Sequence, residues 1–407
     1  MSRARRAAMP SLAEMGVTPF QDTHARRFLF VVPPLNGHVN PTVALGAELT
    51  LRGHQVAWAG HPGTVAPLLE PGARLFPTED EGFTLDQARE AWLKLRGLTA
   101  LRFMWEDFIV PLGHSMVPAV EAAVEEFRPD VIVSDQQTPA GAVVARRRGL
   151  PWATSATTSA EFVQPPSGLP KVDEWVTSQL AEFQRAHGLT DPMDLRFSDH
   201  LVLAFSTAAL IGDTERFPDH FAFVGPMPSR RAVTDFPWEW LEAPVPHVLV
   251  SLGTVSGPVG ERFFRIAAEV VRELDVRAVF VSPPGGSGAP PPNVLVRDHV
   301  PQSALLPHLA AVVTHGGHNT VCETLAHGLP LVVAPIRDDQ PVIARQVAAA
   351  GAGITVRFSR VRVDELREAL TAVLSDEAYR SAARRVQSSF AAAGGAVEAA
   401  DRLEKLS

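Results

Sequence analysis

Cysteine is almost missing from the chain. Cys322 is the only one, so no internal disulfide can form, and its place on an apolar helical pattern favours packing as a small hydrophobe over reactivity. Lysine is nearly as scarce, 3 residues against 34 arginines, a skew that points to high-GC coding more than to function. No apolar run reaches the roughly 18 residues that a membrane-crossing helix needs, so no span is expected. Charge of one sign does not accumulate either. The formal net charge is −8, and Arg146-Arg147-Arg148 reads as a solvated helix end, so no nucleic-acid footprint is present. Residues 1–26 carry Arg3, Arg5 and Arg6 but no continuous apolar stretch. They read as a mobile extension or the product of a misplaced start codon rather than a signal peptide, and a cytoplasmic location is expected. Two nucleotide fingerprints are also missing. The first strand–turn–helix lacks G-x-G-x-x-G, which argues against a dinucleotide oxidoreductase, and the glycines at 316–317 are not followed by the lysine of a P-loop.

What is present is a soluble-type composition, 46% hydrophobic and 20% charged, over 407 residues. That length exceeds one ordinary core and predicts two domains of roughly 200 residues each. Arg27–Val32 is a short apolar strand. Asn40 suits an N-cap and Pro41 the first helical position, so a helix is expected from there, with Val43, Ala44, Ala47 and Leu51 on its apolar face. Gln55–Ala59 is the next strand, and the right-handed β–α–β crossover predicts a parallel sheet. His38 lies in the first turn, at the carboxyl edge where open parallel sheets bind ligands. Val131–Ser134 is another strand with Asp135 at its end. That carboxylate either favours the following helix start, Thr138-Pro139, or faces His38 across the crevice. Pro151–Ala153 is a further strand, and a helix is expected near Asp173–Arg185.

The stretch Val312–Gln340 organises the second half. It reads strand (Val312–Thr314), glycine turn (His315, Gly316, Gly317), helix from Thr320 to His327, strand (Leu329–Ala334), and a polar loop ending in Asp338, Asp339 and Gln340. Glycines before a helix let backbone N–H groups approach an anion, and the helix N-terminus adds partial positive charge. Asn319 and Thr320 bring side-chain donors to the same place, so the turn is a cradle suited to a diphosphate.

This run resembles the donor-binding signature of the family 1, UDP-glycosyltransferase-like enzymes of the GT-B fold, in the shorter bacterial form that acts on natural products such as macrolides and polyketides. The match is dense from His315 to Gln340 and agrees in order over about 27–406. Gly37, His38, Asn40 and Pro41 match the family's G-H-x-N-P, and the resemblance makes His38 the general base with Asp135 its partner. It also implies that His315, Gly317, Asn319 and Thr320 meet the diphosphate, that Ser251, Gly253 and Thr254 face it from the S-L-G-T turn, that Glu323 takes ribose hydroxyls, and that Asp339 and Gln340 hold the sugar. His299 and Val300 fall where the nucleotide base packs. Family members usually carry tryptophan at the position of His299, and imidazole stacks over less area than indole.

The resemblance further implies two facing Rossmann-like, doubly wound α/β domains. The divisions expected are an acceptor domain at 27–225, a linker at 226–243, a nucleotide-sugar domain at 244–390, and a last helix at 391–407 crossing back to the first domain. The expected reaction is inverting transfer from a dTDP- or UDP-sugar to a hydroxyl of a small, largely apolar acceptor, without cofactor or metal; a homodimer is left open. Residues 76–118 are rich in aromatics, among them Phe83. Most of these serve packing, while Trp92 and Phe108, with Phe162 further on, are candidates to line the acceptor pocket. The rival readings are a lipid-linked sugar transferase, a sugar-nucleotide epimerase, an NAD-linked oxidoreductase, or a non-catalytic partner of a glycosyltransferase. The presence of both His38 and the 315–340 cluster speaks against the last.

Overall fold

The computed structural model describes residues 25–78, 92, 95, 97–163, 170–227, 235–253, 260–282 and 290–406. The expectations placed on 1–24, Phe83, Thr254 and the middle of the linker (228–234) lie outside these residues.

Every strand pairing recorded in the two sheets is parallel. The first sheet holds β1 (Arg27–Val31), β2 (Gln55–Gly60), β3 (Arg74–Pro77), β4 (Val131–Asp135), β5 (Trp152–Ala156), β6 (Leu201–Ala204) and β7 (Phe221–Phe223), in the order β3-β2-β1-β4-β5-β6-β7. The second holds β8 (His247–Ser251), β9 (Arg277–Val281), β10 (Val294–Arg297), β11 (Ala311–Thr314), β12 (Leu331–Val333) and β13 (Gly353–Thr355), in the order β10-β9-β8-β11-β12-β13. Helices cover both faces, so the central strands are buried on both sides and read as unbroken apolar runs: RFLFV in β1, HVLVS in β8, AVVT in β11. This is the doubly wound α/β class.

Three local readings need correction. The first long helix starts at Asn36, not Asn40, so Pro41 lies inside it. Its buried face is Val39, Thr42, Leu45, Gly46 and Leu49, whereas Leu51 is 82% exposed. The helix is apolar on more than one side, so periodicity cannot choose the face. Close approach does: a Cβ on Gly46 would lie 2.5 Å from the Trp58 ring of β2, and only glycine admits that contact. Finally, β5 continues past Ala153 to Ala156. Thr154 is tolerated there because its hydroxyl accepts the Ser198 N–H at 2.8 Å.

The chain ends in helices Val363–Ser375, Glu377–Ala392 and Gly395–Leu403. The last one returns to the first sheet. Ala399, Ala400 and Leu403 share a core with Phe28, Phe30, Leu45 and Leu49. Burying a leucine such as Leu403 contributes roughly 1.5–3 kcal/mol. Arg52 fastens the packing by donating to Asp401 (2.6 Å), Glu404 (2.9 Å) and the Val397 carbonyl (3.0 Å).

Candidate active site

In each sheet the strand order reverses once, between β1 and β4 in the first and between β8 and β11 in the second. At such a reversal neighbouring loops run to opposite sides and leave a crevice at the carboxyl ends of the strands. His38 and Asp135 lie at the first of these crevices, and Ser251, Gly253, His315 and Gly317 at the second.

At the first, His38 sits in the opening turn of helix Asn36–Leu51 and Asp135 at the tip of β4. The His38 Nδ1 lies 2.9 and 3.0 Å from the two Asp135 carboxylate oxygens. Asp135 is buried and also accepts the Gln137 N–H at 2.9 Å and the Thr157 hydroxyl at 3.0 Å. The same hydroxyl is 2.7 Å from His38 Nδ1. A carboxylate can only accept, so Nδ1 carries the hydrogen and the lone pair lies on Nε2. Burial works against an imidazolium here. The charge and hydrogen bond of Asp135, aided by the charges of Glu161 and Asp339, outweigh it and hold His38 above its ordinary value of 6.5. Thr157 and Glu161 lie outside the residues assigned from sequence. Glu161 is reached through Gln137, whose amide donates to it at 2.6 Å; its Oε2 is sealed from solvent and has no hydrogen-bond partner among the described residues. Burial raises the Glu161 carboxyl, while Arg196, Gln137 and His38 pull it the other way.

At the second crevice, Gly317 caps helix His318–Ala326 and His315 projects from the preceding turn. The imidazole is clamped between two glycines. A Cβ on Gly253 would come within 2.7 Å of His315 Cε1, and one on Gly317 within 2.7 Å of its Nε2. Gly253 also has φ +72°, a conformation that favours glycine. Burial brings His315 down to about 4, against the opposing charge of Asp339 and a hydrogen bond to the Ser251 backbone. The ring is therefore neutral at pH 7, and the first-turn N–H groups of the helix have no partners within it. The pocket is built of neutral donors and suits an anion.

The geometry gains its context from comparison with known proteins. Residues 261–406 match the C-terminal domain of the erythromycin biosynthesis protein CIII-like family. The 4'-demethylrebeccamycin synthase of Lentzea aerocolonigenes is 31% identical over 93% of this chain and 99% of its own. The chain belongs to the natural-product glycosyltransferases. Among solved structures, the glycotransferase of kitacinnamycin superposes with a TM-score of 0.76 at 28% identity, covering 94% of this chain and 99% of that one. Spinosyn rhamnosyltransferase SpnG, solved with thymidine diphosphate, gives 0.73 at 23% identity over 93% and 100%. The fold is the GT-B fold that the resemblance implied.

The remaining residues of this glycosyltransferase divide into those that cross the cleft and those that do not. Asp339 accepts the Thr158 hydroxyl of the first domain at 2.7 Å, and Asn319 donates its side-chain amide to the Gly37 carbonyl at 2.8 Å. The Trp92 carbonyl accepts from Arg337 at 3.4 Å, with the guanidinium 5.5 Å from the indole centroid. Gln340 turns inward: its Oε1 accepts the Ile336 and Arg337 N–H groups at 2.8 and 3.0 Å, fixing the loop in which Asp338 takes φ +55°. Glu323 accepts the Gln302 amide, another contact outside the assigned set. Thr320 lies in the first turn of its helix and Ser251 is buried at the end of β8. Val300 packs at the edge of the second core. The His299 side chain is 78% exposed beside Asp298. Phe108 lies in a π-helical segment, Met104–Ile109, against the first core. Phe162 is only 7% exposed and meets Phe197, Phe217, Phe221 and Phe223 at 5.8–6.5 Å, so most of its ring serves packing. Cys322 is buried, and burial raises its thiol, in keeping with a packing role. Among the described residues no helix is long and apolar enough to cross a membrane.

Proposed function

We propose that this enzyme transfers a sugar, with inversion, from a dTDP- or UDP-sugar to a hydroxyl of a small, largely apolar natural-product acceptor. The observation that carries the reading is the paired crevices: a histidine made basic by a buried carboxylate on one domain faces a glycine-lined, neutral anion cradle on the other. His38 Nε2 takes the proton of the acceptor hydroxyl. The acceptor oxygen bonds to the anomeric carbon from the face opposite the diphosphate, whose bond to that carbon breaks and whose oxygen leaves with the electron pair. Asp135 stabilises the imidazolium formed and, with Thr157, fixes the ring. His315 and the first-turn N–H groups of helix His318–Ala326 stabilise charge growing on the diphosphate, a preorganised term that needs no metal or other cofactor. Glu323 and Asp339 present carboxylates suited to ribose and sugar hydroxyls. Thymidine diphosphate in the spinosyn enzyme supports a nucleoside diphosphate donor. Mass spectrometry on a panel of nucleotide sugars with aromatic and macrolide alcohols tests the reading. A product one glycosyl unit heavier than its acceptor is expected. Donor turnover to a different nucleotide sugar, with no acceptor product, would instead favour an epimerase.

A further inference from the structure

Pro41 lies inside helix Asn36–Leu51. In an unbroken helix residue 41 would donate its N–H to the carbonyl of Gly37, but proline has none to give. That freed carbonyl accepts the side-chain amide of Asn319, 2.8 Å away, from the first turn of helix His318–Ala326. Gly37 directly precedes His38. The turn that carries the base is thus held, at the one point where proline opens it, by a residue of the donor cradle. The same cleft is crossed by Thr158 to Asp339 (2.7 Å), Ser159 to Gln346 (2.8 Å) and His318 to the Phe205 carbonyl (3.3 Å), none of which reaches the Gly37–His38 turn. The backbone N–H groups of the Asn319 turn stay available to an anion, so the cradle does not depend on this side chain.

From this geometry we infer that Asn319 is a positioning residue for the base: its amide grips the Gly37–His38 turn when the two domains meet, so that closing on the donor and aiming His38 Nε2 are one event. The inference rests on the reading of His38 as base. It differs from the diphosphate role that the resemblance gives Asn319, because a ligand of the diphosphate affects nucleotide affinity, whereas a positioning contact affects turnover.

The experiment is a double-mutant cycle on the full chain. Nucleotide affinity is measured by calorimetry with whichever of thymidine and uridine diphosphate binds the parent more tightly. Turnover at saturating donor is measured with the best acceptor of the panel. Asn319→Ala should lower kcat about fivefold to tenfold, the size of one neutral hydrogen bond, and leave the nucleotide Kd within about twofold. On a His38→Ala background the same substitution should change the rate hardly at all, since there is no base left to aim. Pro41→Ala, which returns an N–H to the Gly37 carbonyl and favours the helix, should lower kcat modestly, and combining it with Asn319→Ala should cause little further loss. A tenfold or greater loss of nucleotide affinity in Asn319→Ala would assign the side chain to the diphosphate and overturn the inference. So would an unchanged kcat, or a loss that persists in full on the His38→Ala background. His38→Ala separates this from the parent reading: if it turns over at the normal rate, the base assignment itself fails, whatever Asn319 does.

Discussion

Two histidines occupy equivalent places in two equivalent crevices and are driven in opposite directions. His38 lies just after β1 and His315 just after β11, each beside the point where its sheet reverses order. His38 is held above its ordinary value, because Asp135 reaches Nδ1 with both oxygens. His315 is brought down to about 4, because its burial between Gly253 and Gly317 outweighs the charge of Asp339 and the hydrogen bond to the Ser251 backbone, both of which raise it. Parallel-sheet topology therefore decides where a ligand can sit, and the partner of the imidazole decides what the imidazole does there. In the proposed reaction a charged partner makes a base. A glycine clamp makes a neutral donor that stays fixed before the anion arrives.

The largest effect that would sharpen this contrast comes from removing each ring in turn. His38→Ala should lower the single-turnover rate about 10²–10⁴-fold, since an unactivated alcohol loses its positioned base, with nucleotide affinity nearly unchanged. His315→Ala should instead weaken nucleoside diphosphate binding roughly tenfold to hundredfold, the range for a hydrogen bond to a charged group. Gly317→Ala should reproduce part of that loss without touching the ring chemistry, because its Cβ would displace the imidazole. Calorimetry beside rapid-quench rates measures both quantities. If the two histidine variants gave the same split, the division of labour between the crevices would be wrong.

A smaller effect lies in pH. In the proposed reaction the base acts only when neutral, so a raised His38 would place the acid limb of kcat above pH 6.5, with activity falling as pH drops through it. Asp135→Asn removes the main raising influence and leaves burial opposed only by the charges of Glu161 and Asp339. The limb should then move to lower pH, with a reduced plateau, because the ring also loses its orientation. Glu161→Gln should move the limb in the same direction by less; Asp339 still adds its negative charge, and His318 faces His38 as a second imidazole. Nucleotide binding should stay flat between about pH 7 and 9, since His315 is neutral throughout. A pH–rate profile that is the same in parent and Asp135→Asn would separate His38 from the titrating group.

Much of this contrast was legible in sequence because both crevices are built from short, local signals. Strands buried on both faces read as apolar runs, and the residues at their carboxyl ends, His38 or His315-Gly316-Gly317, fall at the ligand-binding edge. The features that escaped depend on contacts between distant segments. Thr157 and Glu161 belong to a Ser/Thr-rich stretch with no period, and only the fold brings them to His38. Thr158 meets Asp339 across 181 positions. Asn40-Pro41 reads as a helix start by capping rules, yet the helix begins at Asn36, with the Val39 N–H already bonded to the Leu35 carbonyl, and the Gly37 carbonyl that Pro41 leaves free finds its donor on the other domain. Phe162 reads as apolar whether it lines a pocket or fills a core, and its phenylalanine neighbours come from distant segments that sequence does not bring together.

The smallest expected effect is none. If the diphosphate is held by first-turn N–H groups and the clamped His315, transfer should continue undiminished in excess EDTA. The loop that supplies adjacent carboxylates, Asp338-Asp339, has one of them bound to Thr158 across the cleft. Among the described residues, no three His, Cys, Asp or Glu side chains converge as a metal site would require. A divalent ion could still enter with the nucleotide, riding on its phosphates rather than on protein ligands. The two cases separate by adding Mg²⁺ back after chelation. A rate that EDTA abolishes and Mg²⁺ restores would mean that neutral donors are not enough to stabilise the leaving diphosphate. The second crevice would then need a positive charge of its own, as the first needs a negative one.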